Sequence, residues 1–117
     1  DAVLAAQKEA IEMIKPGILC SDIHDRVCDV LESHGFKTIR SGSKVGFIHS
    51  TGHGVGLEIH EAPFVGTQDI PLEKDNVITI EPGLYYPDQG GIRIEDMLLV
   101  TEDGCENLTS LEKRFVI

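Results

Sequence analysis

Apolar residues in the first 35 positions recur at the spacing of α-helices. Over residues 1–15 they predict an amphipathic helix with one buried stripe. This stripe comprises Val3, Leu4, Ala6, Ala10, Ile11 and Ile14. Pro16-Gly17 ends the pattern. A second helix is predicted to begin at Ser21, a favourable N-cap, and to end before Gly35, which suits a left-handed C-terminal position. Its stripe comprises Ile23, Val27, Val30 and Leu31.

After residue 35 the pattern changes to short β-rich runs separated by turn residues. The predicted strands are Gly46–His49, Val55–Ile59, Val77–Ile80, Gly91–Ile94 and Met97–Thr101, and Phe115–Ile117 is a candidate edge segment. Two helices followed by several strands predict an α+β fold. In such a fold the two helices pack on one face of a mainly antiparallel sheet. No apolar run is long enough to span a bilayer.

Length and charge narrow the class of protein. The chain has 117 residues, enough for one small domain, and a formal net charge of -10. Nucleic acid and anionic membranes both bind surfaces that are rich in lysine and arginine, so neither is expected as a partner of this acidic chain. The acidity has two interpretations, which are simple solubility and carboxylates that bind cations.

The three cysteines, Cys20, Cys28 and Cys105, are odd in number, and their spacing fits no zinc or redox motif. They are interpreted as reduced thiols of a cytosolic protein and receive no role.

The candidate chemistry lies between His49 and Glu95. Residues 48–63 contain three of the five histidines, and glycines surround the middle one, His53. Glycine allows a backbone or a ligand to approach closely. Several known motifs are excluded here: the dinucleotide-binding glycine fingerprint, the P-loop, the H-E-x-x-H zinc helix and the serine nucleophile elbow.

Two glutamates follow at predicted strand ends. Strand alternation places Glu81 on the same face as Val77 and Thr79, and it places Glu95 beside Arg93. Each residue alone has an ordinary interpretation, as a hydrogen-bonded histidine, a solvated strand end or an ion pair. Together one histidine and two glutamates form a mixed ligand set that suits Mn, Co, Fe or Zn better than Ca or Mg.

The spacing of His53 and His60 raises a geometric problem. The two residues are an odd number apart, so a regular strand would point them to opposite faces. Both can serve one site only if the strand bulges, bends or ends between them.

Three motifs closely resemble the M24 metallopeptidases, which include Xaa-Pro aminopeptidases, Xaa-Pro dipeptidases (prolidases) and methionine aminopeptidases. They are T-G-H-G-V-G-L-E-I-H-E-A-P, then I-E-P-G-L-Y, then G-G-I-R-I-E-D. The resemblance extends over essentially the whole chain, including the first helix. It implies the C-terminal half of a pita-bread fold. The Arg-x-Glu-Asp form of the last motif resembles the proline-directed branch.

The resemblance also implies roles for individual residues. The metal ligands would be His53, Glu81 and Glu95, and they would bind two divalent ions, Mn or Co with Zn or Fe as alternatives. His60 resembles the histidine that contacts substrate and stabilises the tetrahedral intermediate. His49 resembles a histidine lining the proline-side pocket. Glu81 doubles as a candidate general base, and Arg93 resembles an arginine near the bridging carboxylate.

The family's site has two further aspartate ligands that the resemblance does not locate in this chain. Residues 1–117 are therefore expected to form one partial catalytic domain that lacks its N-terminal half. The isolated chain is expected to be inactive, with metal bound weakly, singly or not at all.

The intact parent is expected to hydrolyse peptide bonds, Xaa-Pro bonds in particular. Its expected partners are a short proline-containing peptide and a second copy in a homodimer, and its expected location is the cytoplasm. The alternative is a non-catalytic module of the same fold that binds peptides or proteins.

Overall fold

The computed structural model describes residues 1–115, and both predicted helices are present. Helix α1 spans Ala2–Met13 and helix α2 spans Cys20–Ser33. The predicted N-cap of α2 is wrong, because Leu19 occupies that position. Ser21 lies in the first turn, where its hydroxyl donates to Asp69 at 2.5 Å rather than to the helix backbone. No helix within these 115 residues is long and apolar enough to cross a membrane.

The strands form one five-stranded sheet and one two-stranded ribbon. They are β1 Gly52–Gly54, β2 Glu61–Val65, β3 Val77–Ile80, β4 Gly83–Tyr86, β5 Gly90–Arg93, β6 Asp96–Val100 and β7 Cys105–Asn107. The large sheet has the order β2-β1-β3-β6-β7, and β4 pairs with β5. All of these pairings are antiparallel. The predicted α+β fold is therefore confirmed.

Two predicted strands are wrong. Gly46–His49 makes only isolated bridges, from Gly46 to Tyr85 and from Phe47 to Thr38. The segment 55–59 is a bend, and the strand is instead Gly52–Gly54. The physical reason is the loss of partners: the register shifts after His53, and Gly54 pairs with Ile78 near the beginning of β3.

The remaining strand predictions are close. The strand predicted at Val77–Ile80 has the same bounds as the observed β3. The observed β5 and β6 each begin and end one residue earlier than the strands predicted at Gly91–Ile94 and Met97–Thr101. Phe115 lies outside any strand, and the rest of its predicted edge segment lies outside the described residues. Strands β2, β4 and β7 were missed because proline, glycine and polar residues interrupt their pattern.

The core lies between the two helices and one face of the large sheet. Its fully buried residues include Ala6, Ala10, Ile23, Val27, Leu31, Ile78, Ile80 and Leu98. Alternation along β3 buries the side chains of Ile78 and Ile80 in this core, while Thr79 and Glu81 line a cleft. One face of the sheet thus provides stability, and the other face carries polar groups.

A buried charge ties the C-terminal segment to β6. Asp96 is 1% exposed, accepts a hydrogen bond from Asn107 Nδ2 at 2.7 Å and pairs with Lys113 Nζ. The preceding segment is also held, because Met97 N–H donates to Thr109 Oγ1 at 3.0 Å. The ion pair therefore stabilises the position of residues 107–113 against the sheet edge.

We expect Lys113→Met to destabilise the fold by about 2 kcal/mol, because it leaves a buried carboxylate without its cation. The matched control is Lys74→Met, whose partner Glu102 is 82% exposed. That change should stay within about 0.5 kcal/mol of the unchanged chain. Urea unfolding measures both, and equal losses in the two variants would contradict a special role for the Asp96 pair.

A candidate metal centre

The two site glutamates lie opposite each other in a hairpin. The pairing of β3 with β6 ends at Ile80 opposite Asp96, and the pairing of β4 with β5 begins at Gly83 opposite Arg93. The same register continues through the gap between the two ladders, and it sets Glu81 against Glu95. Like charges directly opposite on neighbouring strands repel each other, so this position needs a compensating cation.

His53 is brought beside Glu81 by strand β1. Its backbone N–H donates to Thr79 Oγ1 at 3.1 Å, and Glu81 N–H donates to the carbonyl of Thr51 at 2.7 Å. The ring Nδ1 lies 2.9 Å from the carbonyl of Gly54, which can only accept, so Nδ1 carries the proton. Nε2 faces the opposite way and lies 3.3 Å from Glu81 Oε1.

The three predicted ligands converge. One nitrogen of His53 and one carboxylate oxygen each of Glu81 and Glu95 lie within 4.8 Å of one another. The His53 side chain is 9% exposed, that of Glu81 16% and that of Glu95 43%. The cluster therefore opens to solvent on the Glu95 side and is walled in on the His53 side.

Electrostatics at the site oppose ionisation of Glu81. Burial raises the pKa of its carboxyl above the ordinary value, and the nearby Glu95 raises it further, while His53 and Arg93 act in the opposite direction. Arg93 Nε lies 3.7 Å from Glu81 and 3.8 Å from Glu95. The pKa of Arg93 is raised, first by the neighbouring Tyr85 and also by the two glutamates. A single arginine thus offsets part of the repulsion between the carboxylates.

His60 joins His53 despite the odd spacing. The ring centroids lie 4.3 Å apart, with the rings edge to face. The chain accomplishes this because β1 ends at Gly54 and residues 56–60 bend back before β2 begins.

His49 lines the opposite side of the same cleft. Its ring packs edge to face on Phe47 at 5.0 Å and lies 5.5 Å from the ring of Tyr85. Its Nδ1 donates to the carbonyl of Ser50 at 2.7 Å. The cleft has a volume of about 1050 Å³, and all six predicted site residues (His49, His53, His60, Glu81, Arg93 and Glu95) line it. Their assigned roles stay predictions.

The cleft also contains residues to which no role is predicted from the sequence. Tyr85 packs against His49 and neighbours Arg93, and Phe64 and Met97 form apolar wall. Tyr85 can be identified from the sequence as a candidate, because it ends the motif I-E-P-G-L-Y. Phe64 cannot, because it lies in the missed strand β2.

The donor atoms fit a divalent transition metal. They comprise one imidazole nitrogen with its proton held on the other nitrogen, and two carboxylates that are opposed on adjacent strands. Nitrogen and oxygen donors in this combination suit Mn, Co, Fe or Zn. The Gly54 carbonyl orients the ring in the manner typical of metal-bound histidines.

Comparisons with known proteins find one family model, related sequences and similar solved structures. The model of metallopeptidase family M24 matches residues 1–102. An Xaa-Pro dipeptidase of Pyrococcus furiosus is 43% identical over 99% of this chain and 32% of its own length. The solved prolidase of Pyrococcus horikoshii OT3 superposes with a TM-score of 0.88 at 42% identity, over 98% of this chain and 31% of its own.

A proline-directed aminopeptidase shares the same architecture. The X-Pro aminopeptidase of Thermotoga maritima MSB8 superposes with a TM-score of 0.87 at 36% identity, over 97% of this chain and 30% of that one. The chain thus spans about a third of the length of the relatives that it matches.

We expect Gly52→Ala to destabilise the fold by at least about 2 kcal/mol, because its Cβ would overlap the carbonyl oxygen of Thr79 and push β1 from β3. The control is Gly104→Ala, where a Cβ would enter open space. Thermal unfolding of both variants measures the effect. A Gly52→Ala variant as stable as Gly104→Ala would contradict the close approach of these strands.

The raised pKa of Glu81 predicts a pH-dependent gain from Glu81→Gln in the metal-free chain. The ionised carboxylate is disfavoured in the fold, so its cost appears as the pH rises from the unfolded pKa of about 4.3 through the higher folded pKa. In EDTA at pH 7, Glu81→Gln should therefore unfold at higher urea concentration than the unchanged chain. The difference should vanish below about pH 4.

The control for that experiment is Glu102→Gln, which changes the same charge at an exposed position. It should not alter the urea midpoint at either pH. A Glu81→Gln variant that is less stable than the unchanged chain at pH 7 would show that the carboxylate is favourably paired without metal.

Proposed function

The chain belongs to metallopeptidase family M24, and we propose that it contributes part of a divalent-metal centre that hydrolyses Xaa-Pro peptide bonds. The observation that carries this proposal is the convergence of His53, Glu81 and Glu95 in one cleft. Among its relatives are an Xaa-Pro dipeptidase and a prolidase, and these names support the proline-directed branch.

The metal would be held by His53 Nε2 and by the carboxylates of Glu81 and Glu95. When bound, two divalent ions, Mn or Co with Zn or Fe as alternatives, would supply Lewis acidity and an activated water. The buried side of the cluster excludes bulk water, so charges within it interact more strongly than at a free surface.

The other residues would act on the substrate. His60 faces the cluster across 4.3 Å from the His53 ring, which supports its donating a hydrogen bond to the oxyanion that develops on the scissile carbonyl. Glu81 is a candidate general base, since burial and the neighbouring Glu95 raise the pKa of its carboxyl and so make it a stronger proton acceptor. His49, flanked by Phe47 and Tyr85, would form the apolar wall for a proline ring.

Residues 1–117 would be one part of a larger catalytic domain. This is supported by the relatives, which are about three times longer than the matched region. It is also supported by charge, because two divalent ions carry more positive charge than Glu81 and Glu95 can balance. Further carboxylates would complete the centre, and the isolated chain would be inactive.

The proposed assembly is a homodimer, and its proposed location is the cytoplasm. A cytoplasmic homodimer would cover apolar side chains that are exposed here, Leu57, Ile59 and Leu111 among them.

The test uses the whole protein that carries this chain. We expect hydrolysis of an Xaa-Pro dipeptide, little hydrolysis of the Xaa-Ala analogue, and loss of activity in EDTA that Mn²⁺ or Co²⁺ restores. His60→Ala should lower kcat by about 100-fold with little change in KM, because it removes a donor used only in the transition state. His34→Ala, which changes an exposed histidine at the end of α2, is the matched control and should leave both constants unchanged.

Two outcomes would contradict the proposal. An effect of His60→Ala confined to KM would remove its transition-state role. Binding of proline peptides without hydrolysis at any metal concentration would indicate a non-catalytic binding module instead.

A further inference from the structure

Helix α1 places a polar side chain inside its buried stripe. Gln7 lies in line with Val3, Ala10 and Ile14, and it is fully buried. Its amide oxygen Oε1 has no hydrogen-bond partner among residues 1–115. Packing alone would be served better by leucine or methionine at this position, since burying an unsatisfied polar atom costs free energy. A buried glutamine here therefore needs a reason other than filling space.

The amide nitrogen of Gln7 bridges the two segments that carry the glutamates. Nε2 donates to the carbonyl of Ile80 at 3.2 Å and to the carbonyl of Ile94 at 3.2 Å. Carbonyl oxygens only accept, so the nitrogen and not the oxygen must face them. Ile80 directly precedes Glu81, and Ile94 directly precedes Glu95. One side chain thus contacts the backbone immediately before each carboxylate.

The sequence explains why the hairpin needs this donor. Ile94 N–H donates to the carbonyl of Pro82 at 3.3 Å, as expected for opposed residues of an antiparallel pair. The return hydrogen bond would come from the N–H of residue 82, which proline lacks. The Ile94 carbonyl is buried beside that gap, and Gln7 supplies the missing donor.

We propose that Gln7 is a positioning residue of the metal centre, which bridges the carbonyls before Glu81 and Glu95 and thereby holds the two opposed carboxylates at a fixed separation. The inference rests on the proposed function insofar as these carboxylates bind metal. The bridge itself is a property of the chain without metal. It matters because the two carboxylates repel each other, and the ladder that would hold their strands together is interrupted between them.

The test compares Gln7→Met with Val3→Ala in the whole protein that carries this chain. Methionine keeps the length and helix propensity of glutamine but has no donor. Val3→Ala removes buried apolar volume from the same face of α1 and leaves the Gln7 amide in place. Both variants are titrated with Co²⁺, whose visible absorption reports the ligand geometry. In the metal-free protein, the hydrogen-exchange rates of the Glu81 and Ile94 amides are compared with those of core amides in β6.

We expect Gln7→Met to raise the dissociation constant for Co²⁺ by about tenfold and to change its absorption spectrum. In the metal-free protein the Glu81 and Ile94 amides should exchange about tenfold faster, while the β6 amides keep their rates. Val3→Ala should lower the unfolding midpoint yet leave the Co²⁺ affinity within about twofold of the unchanged protein.

A rescue variant separates positioning from packing. Pro82→Ala restores an N–H opposite the Ile94 carbonyl, so adding it to Gln7→Met should recover part of the amide protection and of the Co²⁺ affinity. A role of Gln7 in packing alone would not respond to a backbone N–H at position 82.

Several results would overturn the inference. They are unchanged Co²⁺ affinity in Gln7→Met, an equal loss in Val3→Ala, or no recovery in the double variant. If the whole protein binds no Co²⁺ at all, the proposed metal centre fails. The exchange rates of the Glu81 and Ile94 amides then decide whether Gln7 holds the hairpin.

Discussion

The carboxylates of Glu81 and Glu95 face each other across one antiparallel hairpin and repel each other. The groups around them are arranged so that this repulsion is reduced. Glu81 and Glu95 sit where one ladder has ended and the next has not begun, so no regular pairing stabilises them directly. The neighbouring groups reduce the repulsion from several directions. Arg93 lies between the two carboxylates, and His53 approaches Glu81 from the adjacent strand. Burial raises the pKa of Glu81, the repulsion that remains raises it further, and both favour a bound cation.

The sheet has two distinct faces, and burial on one of them offsets the unfavourable pair of carboxylates on the other. The helices cover the face that contains Ile78, Ile80 and Leu98, which gives the chain its buried apolar core. The opposite face carries polar residues into an open cleft and contributes little to folding. Unfavourable charge thus collects on the side of the sheet that the core does not occupy. Polar contacts such as those of Gln7 and Thr51 connect the two sides.

Two of the differences between the predicted and observed strands, at residues 55–59 and at β2, depend on which neighbouring strand is available. Helices α1 and α2 and strand β3 were predicted well because their apolar periodicity is a local property of the chain. The segment 55–59 has strand-like composition, yet the chain bends from Gly56 onward. Val55 N–H still donates to the carbonyl of Val77, which begins β3, and no residue of that strand remains to pair with the positions after it. Strand β2 contains a proline and forms nonetheless, because it lies at the edge of the sheet. Partner availability decided both cases, and it cannot be read from composition.

The same distinction applies to the site. The sequence alone determined which side chains are available as ligands, since His53, Glu81 and Glu95 stand out by residue type, by flanking glycines and by their places at strand ends. It also determined the faces of Glu81 and Glu95, because strand alternation is a short-range rule. Only the tertiary structure decided that His60 bends back to His53 and that Gln7 bridges carbonyls 73 and 87 residues away. These contacts depend on how the helices pack on the sheet, and no local pattern encodes that arrangement.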